Sequence, residues 1–115
     1  MKSPITTHVL DTTVGKPAQG LKVLLETASG THDWKEVARG QTDSDGRITD
    51  LLKDSSSLEP GNYRLTFFTE PYFKSIGVHG FYPSVVVNFQ LTEKTAHCHI
   101  PLLVSPHGYT TYKGS

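Results

Sequence analysis

The sequence predicts an all-β fold, a two-sheet sandwich with one short helix, on two observations. Short runs dense in Val, Ile, Leu, Thr and aromatic residues recur along the chain, and clusters of Gly, Pro, Asp and Ser separate them. Ile5 to Leu10 and Leu21 to Thr27 are the first two strands, because Gly15-Lys16-Pro17 between them favours a connection over a continuing helix. Trp34 to Gly40 is a third. The polar stretch Asp43-Ser44-Asp45-Gly46 then has the chemistry of a loop, with Gly46 able to take positive φ and Arg47 placed just after the bend.

Tyr63-Arg64-Leu65-Thr66-Phe67-Phe68 is rich in β-formers, and Tyr72 to Ile76 is the expected short helix. Val85 to Phe89, Cys98 to Val104 and Gly108 to Tyr112 complete the strands, with Ser105, Pro106 and Gly108 turning between the last two. Pro101 cannot donate to a ladder, so its strand is expected at a sheet edge or at a bulge. Residues 50 to 60 show no clear pattern.

A chain of 115 residues suits one domain, 1–115, since two cores would each be too small to offset chain entropy. Lys plus Arg number 11 and Asp plus Glu number 11, so no long-range field attracts nucleic acid or an acidic membrane surface. Cys98 is the single cysteine, which excludes an internal disulfide, so stability must come from the core or from association, and oligomerisation is an expectation. With no apolar leader and no run of membrane-spanning length, the expected compartment is the cytoplasm.

His97-Cys98-His99 is the densest group of reactive side chains. On a strand the two imidazoles face one way and the thiol the other. A structural zinc site needs about four ligands, usually with thiolates, and Cys98 cannot join both histidines, so a metal is not expected. Two histidines on a half-exposed sheet face, His8 as a polar strand position and Arg47 as a solvated turn residue are the commoner readings of such residues. The end of the chain is less ordinary: β-forming Tyr109-Thr110-Thr111-Tyr112 leaves little slack before Ser115, which brings a hydroxyl and a carboxylate to an ordered terminus.

Three segments together raise a resemblance. The opening Ser3-Pro4-Ile5-Thr6-Thr7-His8-Val9-Leu10-Asp11, the middle Asp45-Gly46-Arg47 and the close from His97 through Ser115 resemble the 5-hydroxyisourate hydrolases, the catalytic relatives of transthyretin. The hallmark terminal Tyr-Arg-Gly-Ser of that family stands here as Tyr112-Lys113-Gly114-Ser115, with Lys in place of Arg. The resemblance implies a transthyretin-like sandwich, a homotetramer with active sites at a subunit interface, and a purine-derived substrate. It implies a catalytic set of His8, Arg47, His99 and Ser115, with His97, Tyr112, Lys113 and Gly114 joining His8 and Arg47 in substrate binding.

The reaction so implied is water attack on a ring acyl carbon of 5-hydroxyisourate, giving an unstable imidazoline without metal or cofactor. Water needs a base near neutral pH, which His99 or His8 supplies, and the oxygen that gains charge suits the planar fork of Arg47. Tyr112, Gly114 and Ser115 are positioning groups in this scheme; a Ser115 acyl-enzyme is disfavoured because no nucleophile elbow precedes it. Lys113 keeps the charge of the family arginine and loses its fork. The rivals are a carrier of a small aromatic ligand and an immunoglobulin-like interaction domain. The His8, Arg47 and His99 set speaks against the first, and the C-terminal Tyr112-Lys113-Gly114-Ser115 motif against the second.

Overall fold

The computed structural model describes residues 3–30, 32–52, 58–94 and 97–115. Among the described residues nine strands and one helix follow in order: β1 (Ile5–Asp11), β2 (Lys16–Pro17), β3 (Lys22–Ser29), β4 (Asp33–Gln41), β5 (Arg47–Ile48), β6 (Gly61–Phe67), α1 (Thr69–Ser75), β7 (Val85–Leu91), β8 (Cys98–Ser105) and β9 (Gly108–Thr111). Two sheets form, ordered β2-β1-β8-β9 and β4-β3-β6-β7, with β5 also on β1. The expected sandwich with one short helix is what the chain builds.

Alternation explains the two layers. In β1, Ile5 and Val9 are buried in the core, while Thr6 and His8 lie on the opposite, outer face. Val23 and Leu25 of β3 and Leu65 and Phe67 of β6 supply the second sheet's inner face, and Ile100, Leu102 and Val104 of β8 answer them. The helix closes one end through Tyr72 and Phe73. The Tyr72 hydroxyl donates to the carboxylate of Asp11 at 2.9 Å, and burial with that neighbouring carboxylate pushes the phenol well up.

Two findings depart from the sequence reading. Lys16–Pro17 and Arg47–Ile48 are strands, although the first reads as a breaker and the second as the end of a loop. Each is two residues long and owes its geometry to antiparallel pairing with β1 rather than to propensity.

The second departure concerns Pro101, whose strand is not at an edge. β8 lies between β1, which it pairs in parallel, and β9, which it pairs antiparallel. The proline is accommodated by a missing stretch of ladder: pairing with β9 runs from Ser105–Gly108 to Leu102–Thr111 and resumes at His99–Gly114. Across the gap the Thr111 hydroxyl donates to the Pro101 carbonyl at 2.8 Å, so the acceptor keeps a partner where the imide offers no donor. Residues 95 and 96, and 53–57 of the patternless stretch, lie outside the described residues.

Candidate active site

The outer face of the β1–β8 sheet gathers the reactive residues. Register pairs Thr6 with His99 and His8 with Pro101, and on the other side of β1 pairs His8 with Arg47. Directly paired residues share a face, so Thr6, His8, Arg47 and His99 project together. His97, two residues before His99, joins them with its ring stacked on that of His99, centroids 6.4 Å apart and planes 15° apart. Cys98 points to the other side, as strand alternation requires.

Arg47 is placed by its loop. Gly46 has φ of 76°, and a Cβ there would collide with the Val9 carbonyl oxygen, to whose residue the Gly46 carbonyl is bonded at 2.7 Å through the Val9 N–H. The Asp43 carboxylate accepts from the N–H groups of Asp45 and Arg47, each at 2.9 Å. The Arg47 N–H in particular holds the Asp43 carboxyl below its ordinary value, against partial desolvation. The same loop offers the Asp45 carbonyl to His8, 2.9 Å from Nε2. A carbonyl only accepts, so His8 carries its proton on Nε2.

Thr6, Thr7, Arg47, Thr49, His97, His99 and Ser115 line a shallow cleft of about 100 Å³. Ser115 reaches it because the tail folds back under His99. The Gly114 N–H donates to the His99 carbonyl at 2.8 Å, and a Cβ at 114 would lie 2.7 Å from His99 Cδ2 and 3.2 Å from Pro101 Cγ. Only glycine allows that approach. On the floor, Thr6 Oγ1 is 2.8 Å from His99 Nδ1 and 3.0 Å from His97 Nε2.

Of the residues singled out from sequence, Arg47, His97, His99 and Ser115 thus share one cleft, Gly114 supports it, and His8 stands beside Arg47 with its ring tied to the loop. Tyr112 and Lys113 line a different cavity of about 340 Å³ with Cys98, Phe89 and Leu91, which His97 also borders. Burial pushes the Cys98 thiol up, only partly opposed by the Lys113 charge, so it is a poor thiolate ligand. Among the described residues no group of three or more His, Cys, Asp or Glu could hold a metal ion.

Sequence reasoning missed Thr6 and Asp43. The Asp43-Ser44-Asp45-Gly46 run carried the signal for the second, since an Asp two residues ahead of a turn residue typically caps its N–H groups. Nothing local marks Thr6 beyond its sharing a strand face with His8.

Fold and cleft together define a two-sheet sandwich carrying a histidine and arginine site on the outer face of one sheet. The chain belongs to the HIUase/Transthyretin family, whose family model matches residues 5–114. It is 48% identical over 114 residues to the 5-hydroxyisourate hydrolase of Mus musculus, covering 98% of this chain and 96% of that protein. It is 40% identical over 111 residues to the 5-hydroxyisourate hydrolase of Salmonella dublin, covering 96% and 80%.

Among solved structures, the 5-hydroxyisourate hydrolase of Klebsiella pneumoniae superposes with a TM-score of 0.84 at 30% identity, covering all of both chains. Sea bream transthyretin in complex with thyroxine gives 0.87 at 28% identity, covering 96% of this chain and 94% of that one. The backbone therefore fits enzyme and carrier alike, and the site residues must separate them.

Proposed function

We propose that this chain hydrolyses 5-hydroxyisourate to 2-oxo-4-hydroxy-4-carboxy-5-ureidoimidazoline in urate degradation, as one domain spanning residues 1–115. The observation that carries the reading is the convergence of Arg47, His97, His99 and Ser115 on one cleft, in a chain nearly half identical to a 5-hydroxyisourate hydrolase over almost its full length. A carrier needs a channel for its ligand and has no use for a base beside a guanidinium.

His99 takes the proton of the attacking water, and Arg47 stabilises the oxygen on which charge develops as the acyl carbon becomes tetrahedral. The ring C–N bond then breaks and the leaving nitrogen recovers a proton. His8, with Nε2 donating to Asp45, offers Nδ1 as an acceptor for a substrate N–H or O–H. Ser115 orients water or substrate through its hydroxyl, and His97 borders the bound ring. No cofactor enters this scheme.

A cleft of about 100 Å³ is small beside ligand sites of roughly 300–1,000 Å³. We assign the missing wall to a second subunit in a homotetramer. Exposed Phe81, Tyr82, Tyr109 and Tyr112 supply apolar surface for assembly, Phe81 being 72% exposed. Contacts from Tyr112 and Lys113 to substrate belong to that assembled state. The free thiol of Cys98 fits a reducing compartment, the cytoplasm. No helix among the described residues is long and apolar enough to cross a membrane.

The test is direct. Urate oxidase generates 5-hydroxyisourate, and its ultraviolet decay is followed with and without the protein. Acceleration proportional to protein concentration is the expected result; an unchanged decay rate refutes the hydrolase. Gly114→Ala is expected to lift the tail from His99 and lower kcat by about 100-fold, the scale of a misplacement near 1 Å. Circular dichroism should show the sheet intact, and wild-type turnover in that variant would detach the tail from catalysis.

A further inference from the structure

The Thr6 hydroxyl has two imidazole nitrogens within hydrogen-bond reach, His99 Nδ1 at 2.8 Å and His97 Nε2 at 3.0 Å. Thr6 is 4% exposed and sits in the middle of a sheet, paired to His99 by register. A hydroxyl has one proton to give and lone pairs to accept with. It cannot donate to both rings at once, and with both facing nitrogens protonated its own proton would be left without an acceptor in a site that is 4% exposed; the hydroxyl and both rings are all satisfied when one facing nitrogen is bare and the other protonated.

We propose that Thr6 is a positioning residue that couples His97 and His99, so that the tautomer of one ring fixes the tautomer of the other. In one arrangement the hydroxyl donates to His99 Nδ1, and His97 Nε2–H donates to the hydroxyl. His99 then carries its own proton on Nε2 and has no lone pair there for a water proton. In the other arrangement the hydroxyl donates to His97 Nε2, and His99 Nδ1–H donates to the hydroxyl. His99 now has its lone pair on Nε2, the form competent as a base.

The second arrangement is the working one, and His97 is what makes it available, because it gives the hydroxyl proton somewhere to go. When His99 accepts a proton on Nε2 it becomes an imidazolium that still donates through Nδ1, so Thr6 need not turn during the step. His97 thereby acts through Thr6 on His99, besides bordering the substrate. The two rings, near parallel at 15°, share this oxygen as a hydrogen-bond partner.

The experiment compares wild type with Thr6→Val, which keeps the shape of the side chain without its hydroxyl, and Thr6→Ser, which keeps the hydroxyl. Long-range ¹H–¹⁵N spectra of the imidazoles are recorded at about pH 8.5, two units above the ordinary histidine value of about 6.5, where neutral rings report their tautomers. Wild type and Thr6→Ser are expected to show His99 protonated on Nδ1 and His97 bare on Nε2. Thr6→Val is expected to lose that complementary pattern.

Facing nitrogens both bare or both protonated in wild type, or an unaltered pattern in Thr6→Val, would overturn the coupling. Should Thr6→Val not fold, the wild-type and Thr6→Ser spectra decide alone. The kinetic arm rests on the proposed hydrolysis: kcat should fall at least about 10-fold in Thr6→Val, a part of the roughly 100- to 10,000-fold that a positioned base contributes, with KM nearly constant and activity restored in Thr6→Ser. A wild type without turnover would refute the hydrolase and leave the tautomer result standing.

Discussion

His99→Asn is expected to lower kcat for 5-hydroxyisourate by about 100- to 10,000-fold, the span that a positioned acid or base contributes. The ring it removes is half-buried in β8, faces Thr6 through Nδ1 and rests over Gly114. Asparagine retains a polar group for the Thr6 hydroxyl and a carbonyl for the Gly114 N–H, so the strand and the tail stay in place. The loss should therefore fall on kcat with KM little changed, because the missing proton acceptor matters in the transition state. A variant with kcat within a few-fold of wild type would transfer the base role to His8.

The second large effect is at Arg47. Its backbone N–H and carbonyl hold the loop by bonding Asp43, and its side chain is exposed toward the cleft. Arg47→Ala keeps those backbone bonds and removes the guanidinium, so kcat/KM is expected to fall by about 100- to 1,000-fold, the measured worth of one oxyanion donor elsewhere. Arg47→Lys should recover a part of this, since charge returns without the planar fork. Lysine and alanine variants of equal activity would show that the charge contributes nothing. A wild-type rate in both would take Arg47 out of the chemistry.

Both predictions depend on residues whose placement was legible to different degrees. The loop before Arg47 could be read locally: an Asp-x-Asp-Gly run caps itself and turns, and the structure gives Gly46 its positive φ and Asp43 its two N–H donors. That His97 and His99 share a face opposite Cys98 follows from strand alternation alone. Pro101 misled, because its missing donor argues for an edge or a bulge when only one strand is considered, whereas β8 is interior and its register with β9 is the same before and after the gap. In the sheet, the gap in pairing after Thr111 and the Thr111 hydroxyl absorb the defect on one side while β1 pairs undisturbed on the other.

The tail divides in the same way. Resemblance marks Tyr112, Lys113, Gly114 and Ser115 as one motif, yet within the chain Gly114 and Ser115 serve the histidine cleft while Tyr112 and Lys113 border the cavity of Cys98. A four-residue segment crossing the end of a strand cannot keep every side chain on one face.

By itself the sequence determined the longer strands, the turn before Arg47, the pairing of faces within each of them and the family, because propensity, alternation and motif act over short stretches. The tertiary structure decided the parallel register of β1 on β8, which joins residues some ninety positions apart and sets Thr6 against His99. No local preference encodes that register. It is selected by which inward faces fill the core between the two sheets, so the floor of the cleft exists only once the sandwich has closed.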